Sequence, residues 1–187
     1  MSDLKDLKED LLERINYLQV FKTGEFTLAS GAKSNFYIDG RLITLDPVGV
    51  EIISKIILNN LDKSITAIGG PATAAIPIVS SLLLVSNILF KRKLKGFYVR
   101  PSAKEHGLSN SIEGLLSQKD KVIIVDDTIT SGSSLINAIK EVEKQGCKVV
   151  QTFVVFDRGE GGPENLDNAG YKINSIFKYD HKENKLI

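Results

Sequence analysis

The sequence predicts an α/β domain with a parallel sheet, and three observations carry that reading. From residue 65 onward, apolar runs of strand length alternate with helical stripes, the pattern of strands joined by helical crossovers. One run, Val122-Ile123-Ile124-Val125, is continuous rather than alternating, as in strands buried on both faces of a parallel sheet. The chain has 187 residues, 42% hydrophobic and 25% charged, which suits a single domain (1–187) with a sizeable core.

Each element has its own warrant. Leu4, Leu7, Leu11, Ile15 and Leu18 recur every three or four residues as one apolar helix stripe, with Lys5, Lys8, Glu9, Asp10 and Glu13 on the wet face. Residues 26–39 alternate apolar pieces with Ser30-Gly31 and Ser34-Asn35, as in strands joined by turns. Asp46-Pro47 starts a helix, Asp as N-cap and Pro in the first turn, and Ile52, Ile53, Ile56 and Ile57 carry it to about Leu61. Strands are expected at 65–68, 97–100, 121–126, 149–156 and 173–177. A buried helix is expected at 76–89 and an amphipathic one at 133–145, stopped by Gly146. Residues 159–163 read as a Gly-rich loop. Right-handed crossovers would gather the strand C-termini, and any ligand, on one edge.

Composition excludes several classes. Lys plus Arg total 24 against 23 for Asp plus Glu, a net charge of +1, which argues against a nucleic-acid-coating protein. The single cysteine, Cys147, rules out an internal disulfide or a multi-cysteine zinc site, and reads as a buried small residue. Two histidines, His106 and His181, leave little room for a histidine-based metal site. Residues 1–10 carry charges throughout, unlike a secretory signal. The most apolar stretch, 76–90, contains Pro77, Ser80, Ser81, Ser86 and Asn87 and is too short to span a bilayer. A cytoplasmic protein with no nucleic-acid or membrane partner is the expectation. The basic run 91–95 reads as a solvated turn.

The strongest chemical signal is VIIVDDTITSGSS at 122–134. A buried strand ends in Asp126 and Asp127, then runs through a hydroxyl-rich loop into a helix. Thr128, Thr130, Ser131, Ser133 and Ser134 offer hydroxyl donors, Gly132 allows close backbone approach, and the helix presents free N–H groups and the positive end of its dipole. That is a nest for a phosphate monoester. The two acids suit hydroxyls such as a ribose diol, directly or through Mg²⁺. A strand-end acid pair also occurs in receiver-like and flavodoxin-like domains, and a Ser/Thr turn can simply cap a helix. Neither alternative needs both features together.

Residues 126–134 resemble the phosphoribosyl pyrophosphate (PRPP) motif of type I phosphoribosyltransferases. The motif alone does not name the acceptor base. FTLASGAKSNFYIDGR at 26–41 resembles the N-terminal signature of orotate phosphoribosyltransferases. RPSAKEHG at 100–107, followed by Ile112-Glu113-Gly114, resembles their mobile catalytic loop, and Asp157-Arg158 their orotate-contacting segment. With GGPATAAIP at 69–77 the resemblance spans 26–162 in joint order and spacing. It implies a five-stranded, mainly parallel twisted sheet flanked by helices, with a small hood from about 1–45 and C-terminal pieces. It also implies transfer of phosphoribosyl from PRPP to orotate, Mg²⁺ as cofactor without an assigned protein ligand, and a homodimer whose mobile loop reaches the other subunit. Lys104, His106 and Asp127 become the catalytic candidates. Arg100, Lys104, His106, Asp126, Asp127, Thr128, Ile129, Thr130, Ser131, Gly132, Ser133 and Ser134 become the PRPP-binding candidates, with Thr130 and Arg158 for orotate.

The residues agree with that reading. Arg100, Lys104 and His106 concentrate cationic and proton-donating groups for a departing pyrophosphate. Arg158 suits a carboxylate, its plain alternative being an ion pair with Asp157 or Glu160. Departures from the family pattern are Pro101, where Lys is usual, and Ala29 and Ala74, where one branch has Lys. Lys33 compensates in part for the first of those alanines. Two other readings stay open: a phosphoribosyltransferase for another base, and a PRPP-binding regulator.

Overall fold

The structure is a computed structural model that describes residues 3–27, 33–101 and 111–187. Helix α1 (Leu4–Tyr17) buries its predicted stripe at Leu7, Leu11 and Ile15. Strands β1 (Phe21–Thr27) and β2 (Lys33–Ile38) pair antiparallel as a separate two-stranded ribbon. A one-turn helix, α2 (Gly40–Thr44), leads into α3 (Pro47–Asn59). The Asp46 carboxyl caps α3 by accepting from Gly49 N at 2.7 Å, and the Arg14 guanidinium donates to it at 2.9 and 2.6 Å. Those Arg14 hydrogen bonds hold the Asp46 carboxyl below its usual range although the group is buried. They also tie α1 to the start of α3.

The main fold follows as β3 (Ala67–Gly69), α4 (Ala75–Ile88), β4 (Lys95–Val99), β5 (Ile112–Gly114), β6 (Lys121–Ile129), α5 (Ser133–Lys144), β7 (Lys148–Asp157), α6 (Gly162–Asn168), β8 (Ile173–Asp180) and β9 (Lys185–Leu186). Sheet order is β5-β4-β3-β6-β7-β8-β9. The five strands expected from the sequence form the parallel centre, β4-β3-β6-β7-β8. Two short strands, β5 and β9, extend the edges antiparallel. Strand alternation divides the core. Ile123, Val125, Phe153 and Val155 join α1, α3 and α4 on one face, while Val122, Ile124 and Val154 join Leu135, Ile139 and Val142 of α5 on the other. Val122, Ile123, Ile124 and Val125 are all fully buried, as their continuous apolar run requires.

Several differences from the sequence reading have local causes. Strand β6 continues past the acids because Thr128 and Ile129 still pair with Phe156 and Asp157 of β7. Gly162 and Pro163, expected in a loop, open α6, with Gly161 at φ 85° before them and Pro in the first turn. The basic run forms the turn after α4. Its Arg92 Nη2 donates to the carbonyls of Asp62, Lys63 and Ile65 at 3.0–3.4 Å, and its Lys95 pairs with Asp120 at 2.9 Å. Cys147 is buried, and its thiol lies 3.1 Å from the Ser117 carbonyl.

Strand β3 has β4 on one side and β6 on the other, so the winding direction reverses between β3 and β6. In open α/β sheets the crevice above such a reversal is where ligands bind. The chain leaves β3 through Gly69 and Gly70. A Cβ on Gly70 would lie 2.0 Å from the Val125 carbonyl oxygen, and one on Gly69 would lie 2.3 Å from the Phe97 ring. Val99 N donates to Gly70 O at 2.9 Å and Ala72 N to Val99 O at 2.7 Å, which locks the loop against β4. Gly70→Ala is therefore expected to cost about 1–3 kcal/mol of stability, measured by urea unfolding. A loss below about 0.5 kcal/mol would show that the two backbones can separate freely.

Candidate functional site

The hydroxyl-rich loop forms a cup at the reversal. A cavity of about 150 Å³ is lined by Asp126, Thr128, Ile129, Thr130, Ser131, Gly132, Ser133 and Ser134. Gly132 holds φ 80° at the N-cap of α5, and a Cβ there would meet Leu166 Cδ1 at 2.5 Å. No side chain caps α5, so its first N–H groups stay free toward the cavity. Asn165 Nδ2 donates to Ser131 O at 3.0 Å, bracing the loop from α6. The cup thus combines hydroxyls, free N–H groups and a helix dipole, a phosphate-binding arrangement.

The two acids differ in setting. Strand alternation turns neighbouring carboxyls to opposite faces. Asp126 lines the cavity, whereas Asp127 Oδ2 lies where a Cβ on Gly40 would sit, 2.5 Å away. Burial, reinforced by the Asp127 charge, pushes the Asp126 carboxyl up to about 8, partly offset by the Asp127 N–H donating to its Oδ1 at 3.0 Å. Burial also raises Asp127, opposed by a backbone hydrogen bond from Thr128 and by the Arg41 charge. Arg41 is itself held by Asp39, its Nε donating at 2.9 Å and Nη2 at 3.2 Å.

A second cleft, about 510 Å³, adjoins the cup and shares Ser134 with it. It is lined by Pro71 and Ala72 of the β3 exit, Arg100 at the end of β4, and Lys140 and Lys144 of α5. Arg100 Nη1 lies 3.4 Å from Glu113 Oε1. The structure therefore brings Arg100 beside the glycine loop and the start of α5. Lys104 and His106 lie outside the described residues, as do Ala29 and Ser30.

Arg158 follows β7, and its N–H donates to Ile129 O at 3.1 Å, next to Thr130. Its side chain is buried rather than on the surface. The ion-pair alternative holds with Glu160: Nε donates to Glu160 Oε1 at 2.9 Å. Nη2 lies 2.8 Å from the same oxygen yet has no directed hydrogen bond among the described residues, so that contact is charge to charge. The guanidinium carbon sits 4.4 Å from the Phe36 ring centre, and Phe36 stacks on Tyr179 at 3.8 Å.

The phosphoribosyl transferase domain family matches residues 48–183. An orotate phosphoribosyltransferase of Pyrococcus horikoshii is 38% identical over 183 residues, covering 92% of this chain and 94% of that protein. The chain belongs to the orotate phosphoribosyltransferase family. Among solved structures, the orotate phosphoribosyltransferase of Aeropyrum pernix has a TM-score of 0.75 at 30% identity, covering 90% of this chain and 93% of that one. That of Mycobacterium tuberculosis in complex with PRPP also has a TM-score of 0.75, at 25% identity, covering 92% and 96%.

For this orotate phosphoribosyltransferase family member, the 26–41 signature already contained Phe36, Gly40 and Arg41, but their contacts with the acids or Arg158, and that of His181, come only from the fold. No local spacing shows those contacts. Glu160 had a signal, two residues after Arg158, but its contact with a buried guanidinium had none. One consequence concerns pH. The folded Asp126 carboxyl titrates near 8, above its ordinary 3.8, so between those values the unfolded chain binds fewer protons and stability falls as pH rises. Asp126→Asn is expected to raise Tm, by more at pH 8 than at pH 5, with a difference of a few degrees at about 2–4 °C per kcal/mol. Equal gains at both pH values would contradict the assignment.

Proposed function

We propose that the protein is an orotate phosphoribosyltransferase, converting orotate and PRPP to orotidine 5′-monophosphate and pyrophosphate in pyrimidine (UMP) biosynthesis. The observation that carries this reading is the adjacency, across the ends of β6 and β7, of a phosphate cup and a buried guanidinium whose Nη2 has no directed hydrogen bond among the described residues. A base bearing a carboxylate satisfies Arg158, and a 5′-phosphate satisfies the cup.

In this mechanism orotate N1 gives its proton to solvent and attacks the anomeric carbon as the bond to pyrophosphate breaks. The transition state is oxocarbenium-like and no enzyme nucleophile takes part. The chain positions both partners and stabilises the charge that develops on the leaving group. Loop residues 128–134 hold the 5′-phosphate. Asp126 and Asp127 accept from the ribose hydroxyls, and Thr130 and Arg158 hold orotate. Arg100 meets the pyrophosphate, and Lys104 and His106 supply charge and a proton donor to it as it departs.

Mg²⁺ fits the donor set. Among the described residues no three His, Cys, Asp or Glu side chains are arranged to hold a metal unaided. Asp126, whose carboxyl lines the cup, would hold Mg²⁺ together with substrate oxygens, the usual manner for this ion. When bound, it neutralises charge on the pyrophosphate. Pairing as a homodimer, with the 100–107 loop shared across subunits, is supported by exposed Leu42, Leu45 and Val48 at the α2–α3 corner. A cytoplasmic setting, without nucleic-acid or membrane partners, is supported by the net charge of +1. Among the described residues no helix is long and apolar enough to cross a membrane.

A steady-state assay with orotate, PRPP and Mg²⁺ should yield orotidine 5′-monophosphate and pyrophosphate. PRPP binding without turnover would favour a regulator, and turnover with a purine alone would favour another base. Lys104→Ala is expected to lower kcat by about 10²-fold or more with an unchanged circular-dichroism spectrum. Wild-type turnover in that variant would remove its assigned role. Arg158→Ala should raise the orotate KM by about 10–100-fold, and an unchanged KM would remove the carboxylate contact.

A further inference from the structure

We infer that Glu160 is the positioning residue of the base subsite, fixing the Arg158 guanidinium so that one edge stays available for the carboxylate of the incoming base. This rests on the orotate reading above.

An arginine side chain has many rotamers, and a bidentate or edge-on contact needs one of them. Three restraints select it here. Glu160 Oε1 takes the Nε–H at 2.9 Å. The Phe36 ring covers one face of the guanidinium at 4.4 Å. The backbone is held on both sides, since Arg158 N donates to Ile129 O at 3.1 Å and the Arg158 carbonyl lies 3.0 Å from His181 Nε2. The ring of His181 packs edge-on against both Phe36 and Tyr179. Of these restraints, only Glu160 acts on the hydrogen-bonding edge.

The local sequence explains how a residue two positions away reaches back. Gly159 at φ 67° and Gly161 at φ 85° flank Glu160, a backbone conformation that side-chain-bearing residues rarely adopt. The reversal lays the Glu160 carboxylate against Arg158 while the residue itself stays exposed. Its Oε1 takes the Nε–H and sits 2.8 Å from Nη2, yet gives Nη2 no directed hydrogen bond, and among the described residues Nη2 is buried without one. A buried donor in that state calls for an acceptor.

The test compares Glu160→Ala, Glu160→Gln and Glu160→Asp with the wild-type chain, by steady-state kinetics in both substrates and by Tm. Glu160→Ala should raise the orotate KM about tenfold while the PRPP KM stays within about twofold. Glu160→Gln keeps an acceptor at the same reach and should stay within about threefold of wild type in orotate KM. Glu160→Asp keeps the charge but is one methylene shorter; it should raise the orotate KM about tenfold and supplies the readout where Glu160→Ala does not fold. The inference is overturned by an unchanged orotate KM in both Ala and Asp variants. It is equally overturned by parallel rises in both KM values, which would mark a structural role, or by a Gln variant as impaired as Ala. A wild-type chain that forms no orotidine 5′-monophosphate would instead overturn the orotate reading itself, and this inference with it.

Discussion

The exit of β3 lies against β6 with no room for a side chain between them, and the site depends on that contact. Gly70 meets the Val125 carbonyl one residue before the acid pair begins. Any larger residue would push the β3 loop away from the end of β6. Because the backbones touch, the glycine loop, Arg100 and the hydroxyl loop share adjoining clefts that meet at Ser134. A sheet that reverses its winding at this strand pair leaves its crevice here, so topology and local chemistry select the same place.

Charge is distributed around that point by element. Anionic groups sit at the strand end, where Asp126 and Asp127 are too buried to ionise as freely as surface acids. N–H donors and hydroxyls come from the α5 terminus. Cationic groups lie to either side, Arg100 with Glu113 at the β4 end and Arg158 with Glu160 at the β7 end. Both arginines are already accompanied by a carboxylate. That arrangement preserves the near-zero total charge of the chain while leaving polar atoms directed at a ligand.

Much of this was legible in the sequence where one residue type serves one local need. The apolar run 122–125 marked the central strand, Asp46-Pro47 marked the start of α3, and the acid pair with its hydroxyl loop marked the phosphate cup. The same runs marked the five parallel strands. What escaped depends on partners distant in the chain. Strand β6 runs beyond its apolar residues because β7 continues to pair with it, and pairing length is not written in one strand. Edge strands β5 and β9 are too short to carry a period. Gly40 was legible only as part of the 26–41 signature, and its need arises from Asp127, far along the chain. Arg158 was read as a ligand group or as a surface ion pair, and it proved to be buried and paired at once.

The central claim is that the substrate phosphates gather at the reversal between β3 and β6. The most direct test is amide chemical-shift mapping of the ¹⁵N-labelled chain titrated with PRPP and Mg²⁺. The account predicts that the largest shifts fall on Gly69, Gly70, Ala72 and residues 130–134, with little change at Thr66, Lys121 and Lys148 on the opposite edge of the sheet. Shifts concentrated at that opposite edge, or absent from 130–134, would contradict it.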